Sequence, residues 1–302
     1  MRFLIFGAGV LGSFYAVKLR ACGHDVTVLA RGLRASQLRV DGLVVQEHKG
    51  ICRHARVSVI ETLEPEAPYH YVLVLVRNDQ VESVLPSLAA SKRTPSLVFM
   101  FNNLHGPQRL IEALGRERVL LGFPGAAGER AADGSVVATV LPALMQMTTL
   151  GELDGQFTPR VRLLATALKE AGFPTALSRN MDAWLKTHVA VVSPIADAFY
   201  AAGGDLNALG SSRARVATLL HTIRQAFLAL RAQGIPVTPA KPRGLELLPD
   251  WLLVRVCQWA LRTALADLGV ARHATVAREE MAVLSGQLRL LVARSAAMAA
   301  KA

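Results

Sequence analysis

Residues 2–12 read Arg2-Phe3-Leu4-Ile5-Phe6-Gly7-Ala8-Gly9-Val10-Leu11-Gly12. The apolar run Arg2–Gly7 predicts a buried parallel strand, and Val10–Cys22, closed by Gly23, predicts the helix that follows. Gly7, Gly9 and Gly12 then fall in the spacing G-x-G-x-x-G at the junction of strand and helix. In that context the three glycines have separate duties. The first permits the tight turn, the second lets the backbone approach a pyrophosphate, and the third lets the helix pack close to the strand. The amides of Val10 and Leu11 would open the helix N-terminus toward the negative charge.

Working outward, Asp25–Ala30 (DVTVLA) predicts the second strand. An acidic residue at its end would accept hydrogen bonds from an adenosine ribose 2′-hydroxyl. The chain instead reads Ala30-Arg31-Gly32-Leu33-Arg34. Arg31, with Arg34 near it, would meet a 2′-phosphate through charge-assisted hydrogen bonds, so NADP(H) is the expected cofactor. The competing reading is that both are solvated surface arginines.

Further strands are predicted near Leu43–Gln46 and Val57–Ile60, at Tyr71–Val76 (YVLVLV), Ser96–Phe101 and Val119–Gly122, and late at Val136–Val140 and Met145–Leu150. Helices at Gln80–Ala90 and Leu110–Leu114 alternate with them, which implies a parallel sheet wrapped by helices. After about Phe157 the pattern changes to long segments with helical apolar spacing: 160–171, 180–200, 212–233, 247–268 and 275–300. The expected architecture is α/β: a Rossmann-type, doubly wound dinucleotide-binding domain over 1–156, then an all-helical substrate and catalytic domain over 157–302.

The 302 residues are 52% hydrophobic and 19% charged, which excludes a disordered or collagen-like chain. No uncharged apolar stretch approaches the roughly 18 residues a spanning helix needs. The basic, apolar start resembles a signal peptide, but the glycine loop and the continuing strand–helix pattern argue against one. Three scattered cysteines, Cys22, Cys52 and Cys257, form no CxxC pair, so neither a disulfide framework nor a metal site is expected, and a cytoplasmic location is. The net charge of +11 points to anionic partners, yet the basic residues are spread along the chain without an aromatic-interleaved motif. A small anionic substrate is therefore expected, and neither nucleic acid nor membrane. The long apolar helices would permit a homodimer through the second domain.

Several motifs in order resemble those of the ketopantoate reductases (2-dehydropantoate 2-reductases). They are the glycine loop with its trailing arginine, Val76-Arg77-Asn78-Asp79-Gln80, Asn102-Asn103-Leu104-His105-Gly106, Gly151–Gly155, Ala171-Gly172-Phe173, Trp184-Leu185-Lys186, and Glu280 with Ser285-Gly286. The resemblance implies an NADPH-dependent reduction of a 2-oxo acid, with 2-dehydropantoate the default substrate and pantothenate biosynthesis the setting. It implies that Lys186 is the general acid, that Glu280 orients substrate and ammonium, and that Asn102 lies beside the nicotinamide ribose and Lys186, where it would contact both cofactor and substrate. Arg77 and Gln80 would line the cofactor groove. Alone, Lys186 reads as an ordinary lysine of an amphipathic helix, and Glu280 as a solvated helix residue.

The chain departs from the family where asparagines would bind the substrate hydroxyl. Those positions are Ala190 and Pro194, and the place of a family serine falls near Leu268. Ala190 shares a face with Lys186 one turn away. Ser193 returns to nearly that face and is the expected replacement donor. His188, two residues from Lys186, points away and is read as packing. Two other readings stay open: a related β-hydroxyacid-dehydrogenase-type reductase of a less hydroxylated substrate, and a non-catalytic NADP-binding sensor.

Overall fold

The computed structural model of the chain describes residues 1–47, 50–131, 134–239, 244–263 and 278–299. The chain forms two compact units, one of Met1–Phe101 with Gly106–Met181, the other of Asn102–His105 with the chain from Asp182 onward.

The first unit is built on an eight-stranded sheet. Its strands are β1 (Arg2–Phe6), β2 (Asp25–Leu29), β5 (Ser58–Ile60), β6 (Tyr71–Val74), β7 (Leu97–Met100), β8 (Val119–Phe123), β11 (Thr148–Glu152) and β12 (Thr175–Leu177). The order is β12-β11-β8-β7-β6-β1-β2-β5. From β5 to β8 every pairing is parallel, and the direction of winding reverses where β1 meets β6. A ligand crevice belongs outside the carboxyl ends of the strands at such a point. β6 and β7 are buried at every residue, as is β1 after Arg2, because helices cover both faces of the sheet.

α1 (Val10–Ala21), α2 (Gly32–Asp41), α3 (Val81–Ala90), α4 (Gln108–Leu114) and α5 (Pro159–Glu170) complete this unit with a second, four-stranded sheet. That sheet has the order β4-β3-β10-β9, from β3 (Leu43–Glu47), β4 (Cys52–Ala55), β9 (Ala126–Arg130) and β10 (Val136–Val140), and it packs on α1. It is mixed: only β3 and β10 run parallel.

The expected boundary at 156/157 falls inside the first unit. β12 extends the sheet by pairing in parallel with β11. Val161, Leu164, Ala167 and Leu168 of α5 are buried in the core that also holds Phe3, Ile5 and Phe14. The helical spacing after Phe157 thus begins with one more sheet-covering helix.

The second unit is helical: α6 (Met181–Ala201), α7 (Leu206–Ser211), α8 (Arg213–Ala232), α9 (Gly244–Leu247), α10 (Asp250–Leu261) and α11 (Arg278–Ala299). Its core includes Val189, Ala190, Leu220, Phe227, Leu253 and Leu284. The helix expected over 247–268 is shorter, because Pro249 is the N-cap of α10 and Arg262 its C-cap. α6 runs through Pro194 without interruption. Among the described residues no helix is long and apolar enough to cross a membrane.

Candidate active site

The glycine loop joins β1 to α1. Gly7 adopts φ 113°, a region that favours glycine. A Cβ on Gly7 would also approach the carbonyl oxygen of Leu75 to 2.7 Å, and one on Gly12 that of Gly7 to 1.9 Å. Gly9 differs. It is the N-cap of α1 in extended backbone, and a Cβ there would meet nothing within 4 Å. Protein packing therefore does not require glycine at 9, while open space above the loop suits a close-approaching ligand. No side chain caps α1 and no acidic residue occupies its first turn, so the helix end is left for an external anion.

A cleft of about 360 Å³ opens beside this loop, at the carboxyl ends of β1, β2 and β6. Gly7 and Ala8 line it on one side, Ala30, Arg31 and Arg34 on another, and Gln80 and Ser83 on a third. Arg31 is exposed at the N-cap of α2. Arg34 is more deeply set. Its Nε donates to the carbonyl oxygen of Ala8 at 3.4 Å and its Nη2 to Ser13 Oγ at 3.1 Å, which ties α2 to the glycine loop. Burial lowers its pKa, with the charge of Arg130 acting in the same direction. The residues at the cleft fit a dinucleotide: open glycine, free helix end, two cations, and no carboxylate among the lining groups.

Gln80 lines the cleft, and its Oε1 accepts from the backbone N–H of Arg77 at 3.3 Å. Arg77 itself is not among the lining residues. Its guanidinium is turned to Asp79, with Nε 3.2 Å from Oδ1, in an exposed pair.

In the second unit, Lys186 lies on α6 with its side chain only 13% exposed. Its Nζ donates to Asp182 Oδ2 at 2.7 Å. Asp182 escaped the sequence reading, although its spacing of four residues from Lys186 is the signal that could have found it. Asn102, also buried, donates from Nδ2 to Glu280 Oε1 at 3.0 Å, which gathers two expected site residues 178 positions apart. The Oδ1 atoms of Asn102 and Asp182 are both buried without a partner. Orphaned acceptors of this kind are uncommon, and that of Asn102 suits a site that receives a hydrogen-bond donor.

The two expected substrate contacts are placed differently. Ala190 is fully buried in the helical core. Ser193 is buried too, 2.8 Å from Ser285 Oγ, which donates at 2.8 Å to Asp197 Oδ1. Arg289 Nη2 closes the chain on Asp197 Oδ2 at 2.9 Å. Ser193 therefore fastens α6 to α11, and the helix face it shares with Ala190 is used for packing. His188 stacks on Trp184 at 5.2 Å with an interplanar angle of 8°, as packing. Leu268 lies outside the described residues.

Residues 3–155 match the ketopantoate reductase PanE/ApbA family. The uncharacterized oxidoreductase YkpB of Bacillus subtilis (strain 168) is 27% identical over 246 residues, 80% of this chain and 78% of that protein. Among solved structures, a 2-dehydropantoate 2-reductase from Geobacter metallireducens GS-15 superposes with a TM-score of 0.69 at 18% identity, covering 95% of this chain and 99% of the other. D-mandelate dehydrogenase, in its ternary structure with NADH and anilino(oxo)acetate, superposes with a TM-score of 0.68 at 14% identity over 98% and 99% of the two chains. At these identities the structural likeness speaks to the fold.

Proposed function

The chain belongs to the ketopantoate reductase family, and on that footing we propose that it uses NADPH to reduce a 2-oxo acid or related ketone to the hydroxy acid. Membership implies an NAD(P)-dependent oxidoreductase; the choice of cofactor, the substrate class and the residue roles are what the proposal adds. The observation that carries it is the cleft beside the glycine loop, lined by Arg31 and Arg34 and by no carboxylate. Two guanidinium groups there favour a 2′-phosphate over a 2′-hydroxyl.

The first unit supplies the cofactor site: the loop Gly7, Gly9, Val10, Leu11 and Gly12, the two arginines, and Gln80. When bound, the reduced nicotinamide supplies hydride. The second unit supplies the acid. Hydride addition leaves negative charge on the carbonyl oxygen, and Lys186 Nζ neutralises it by donating a proton. A half-buried cation is worth more for this than a solvated one, because less water competes with it. Glu280, held by Asn102, would accept hydrogen bonds from substrate donors. The buried Asn102 Oδ1 is placed to accept another.

The default substrate is 2-dehydropantoate. A less hydroxylated 2-oxo acid is the second reading, and a specific observation favours it. Ala190 offers no polar atom, and Ser193 is buried against Ser285.

The test is consumption of NADPH and of NADH against a panel of 2-oxo acids, with cofactor affinity measured in parallel. NADPH-linked turnover of at least one 2-oxo acid is expected. Tight NADPH binding without turnover of any would replace the reductase by a cofactor-binding sensor.

A further inference from the structure

We infer that Asp182 is a positioning residue: its carboxylate holds the Lys186 ammonium in the orientation from which the proton leaves for the substrate, and so sets turnover without itself touching substrate. The inference rests on the reading of Lys186 as the acid.

Three features of the pair support it. First, Asp182 stands one turn before Lys186 on α6, the favoured order for an acid and a base four residues apart. Their atoms meet at 2.7 Å, a short charge-assisted hydrogen bond. Second, this is not a solvated surface pair. The Lys186 side chain is 13% exposed and that of Asp182 32%. Third, the carboxylate serves Lys186 at a cost to itself. Oδ2 receives the ammonium while Oδ1 is buried with no partner. A carboxylate free to turn toward water would satisfy both oxygens.

The helix turn that carries the pair is fixed around it. Ala183, Trp184 and Leu185 are all buried, and Trp184 stacks on His188 one turn further on. That leaves the lysine stem as the loose part. A lysine side chain has four rotatable carbons and a point charge at its end, so an unheld ammonium samples many positions. Proton donation needs one of them. In the reaction the carbonyl carbon gains the hydride with its two electrons, and the carbonyl oxygen gains a proton from Nζ. The neutral amine then regains a proton from water, while Asp182 keeps its charge throughout. Its contribution is the location of Nζ before and after each turnover.

The experiment is a double-mutant cycle with Asp182→Ala, Lys186→Ala and the pair together, using NADPH and whichever 2-oxo acid the wild-type protein reduces fastest. Asp182→Ala is expected to lower kcat by about 10²-fold, the scale of a misplacement of about 1 Å. KM and NADPH affinity should stay within about threefold. In the Lys186→Ala background the second substitution should cost nothing more, because Asp182 then has nothing left to position. Asp182→Glu, which keeps the charge, should recover part of kcat. Losses that multiply in the double variant, or a kcat for Asp182→Ala within about twofold of wild type, would overturn the proposal. If Asp182→Ala does not fold, the isosteric Asp182→Asn enters the same cycle with the same criteria. A slow Lys186→Ala beside a fast Asp182→Ala sinks this inference alone; a fast Lys186→Ala sinks the reading of the acid, and the inference with it.

Discussion

A Cβ on Gly12 would stand 1.9 Å from the carbonyl oxygen of Gly7, a distance no backbone pair tolerates. The two residues define how tightly α1 is drawn onto the end of β1. Gly9, two residues from Gly7, carries no such constraint. The same loop therefore contains two glycines required by the fold, Gly7 and Gly12, and one, Gly9, with open space around it.

The first prediction separates those roles. Gly12→Ala should destabilise the protein by about 1–3 kcal/mol or more, since backbone must move to admit the methyl group. Gly9→Ala should change stability by less than about 0.5 kcal/mol, as for a surface position. It should nevertheless weaken NADPH binding at least tenfold, because the methyl group occupies the space over the loop. Thermal unfolding and cofactor titration on both variants check this. Equal losses of stability would show that packing also governs position 9.

The second concerns the cofactor's extra phosphate. Arg31→Asp should raise the Kd for NADPH far more than that for NADH, on the scale of about 2–5 kcal/mol, since a paired charge is replaced by a repelling one. Arg34→Ala should weaken both cofactors, because Arg34 also braces Ala8 and Ser13 at the glycine loop. An unchanged NADPH/NADH ratio in Arg31→Asp would move the 2′-phosphate to Arg34.

A third prediction lies away from the site. His24 has its Nδ1 3.4 Å from the Met1 ammonium, and its Nε2 is buried without a partner. Burial first, and then that ammonium, hold its pKa below the ordinary 6.5, with Glu170 opposing them. As pH falls below about 6.5 the unfolded chain takes up a proton that the folded chain resists, so stability is lost until the folded value is passed. His24→Phe should flatten this acid limb in urea melts taken from pH 7.5 downward. A limb as steep as that of the wild type would place its origin in another group.

The fourth concerns substrate choice. With alanine at 190 and Ser193 engaged by Ser285, the structure offers no hydroxyl-recognising group at either position. The kcat/KM for 2-dehydropantoate and for its analogue lacking the terminal hydroxyl should differ by no more than about tenfold. Ser193→Ala should leave that ratio unchanged. A preference of about a thousandfold, lost in Ser193→Ala, would mean that Ser193 releases Ser285 to bind substrate.

The first unit's main sheet was legible because its strands carry their own signal. Arg2–Phe6, Asp25–Leu29, Tyr71–Val74 and Leu97–Met100 are dense in apolar and β-branched residues, as strands covered on both faces must be. The strands that escaped owe their existence to partners. β9 reads Ala-Ala-Gly-Glu-Arg, and its Gly128 is explained by partners distant in sequence: a Cβ there would run into the carbonyl oxygen of Val137 on β10 and lie 2.8 Å from Val10 Cγ1. β4 reads Cys-Arg-His-Ala, and β12 has three residues; each is defined by pairing with β3 or β11. The boundary was misplaced for the same reason, since nothing local in α5 says that its apolar face lies on a sheet.

The site divides along similar lines. The glycine loop and Arg31 follow from short-range spacing, whereas Gln80 entered only through the family resemblance. Lys186 and Glu280 required a resemblance to be noticed, because neither residue type is informative alone. Asp182 was within reach of an i,i+4 reading. The bonds of Ser193 to Ser285, and of Ser285 to Asp197, join residues 92 and 88 positions apart, and no local pattern announces them.

The hydrogen bond from Asn102 to Glu280 also has a meaning in time. Asn102 is made 178 residues before Glu280. The side chain must wait through the synthesis of the five strands β8 to β12 and of the helices α4 to α10 before its partner arrives. The segment Asn102–His105 belongs to the second unit, although the chain on both sides of it belongs to the first. A chain cut short before α11 would keep the residues of the glycine loop and of the twelve described strands. It would leave the Asn102 amide with neither of its polar atoms met.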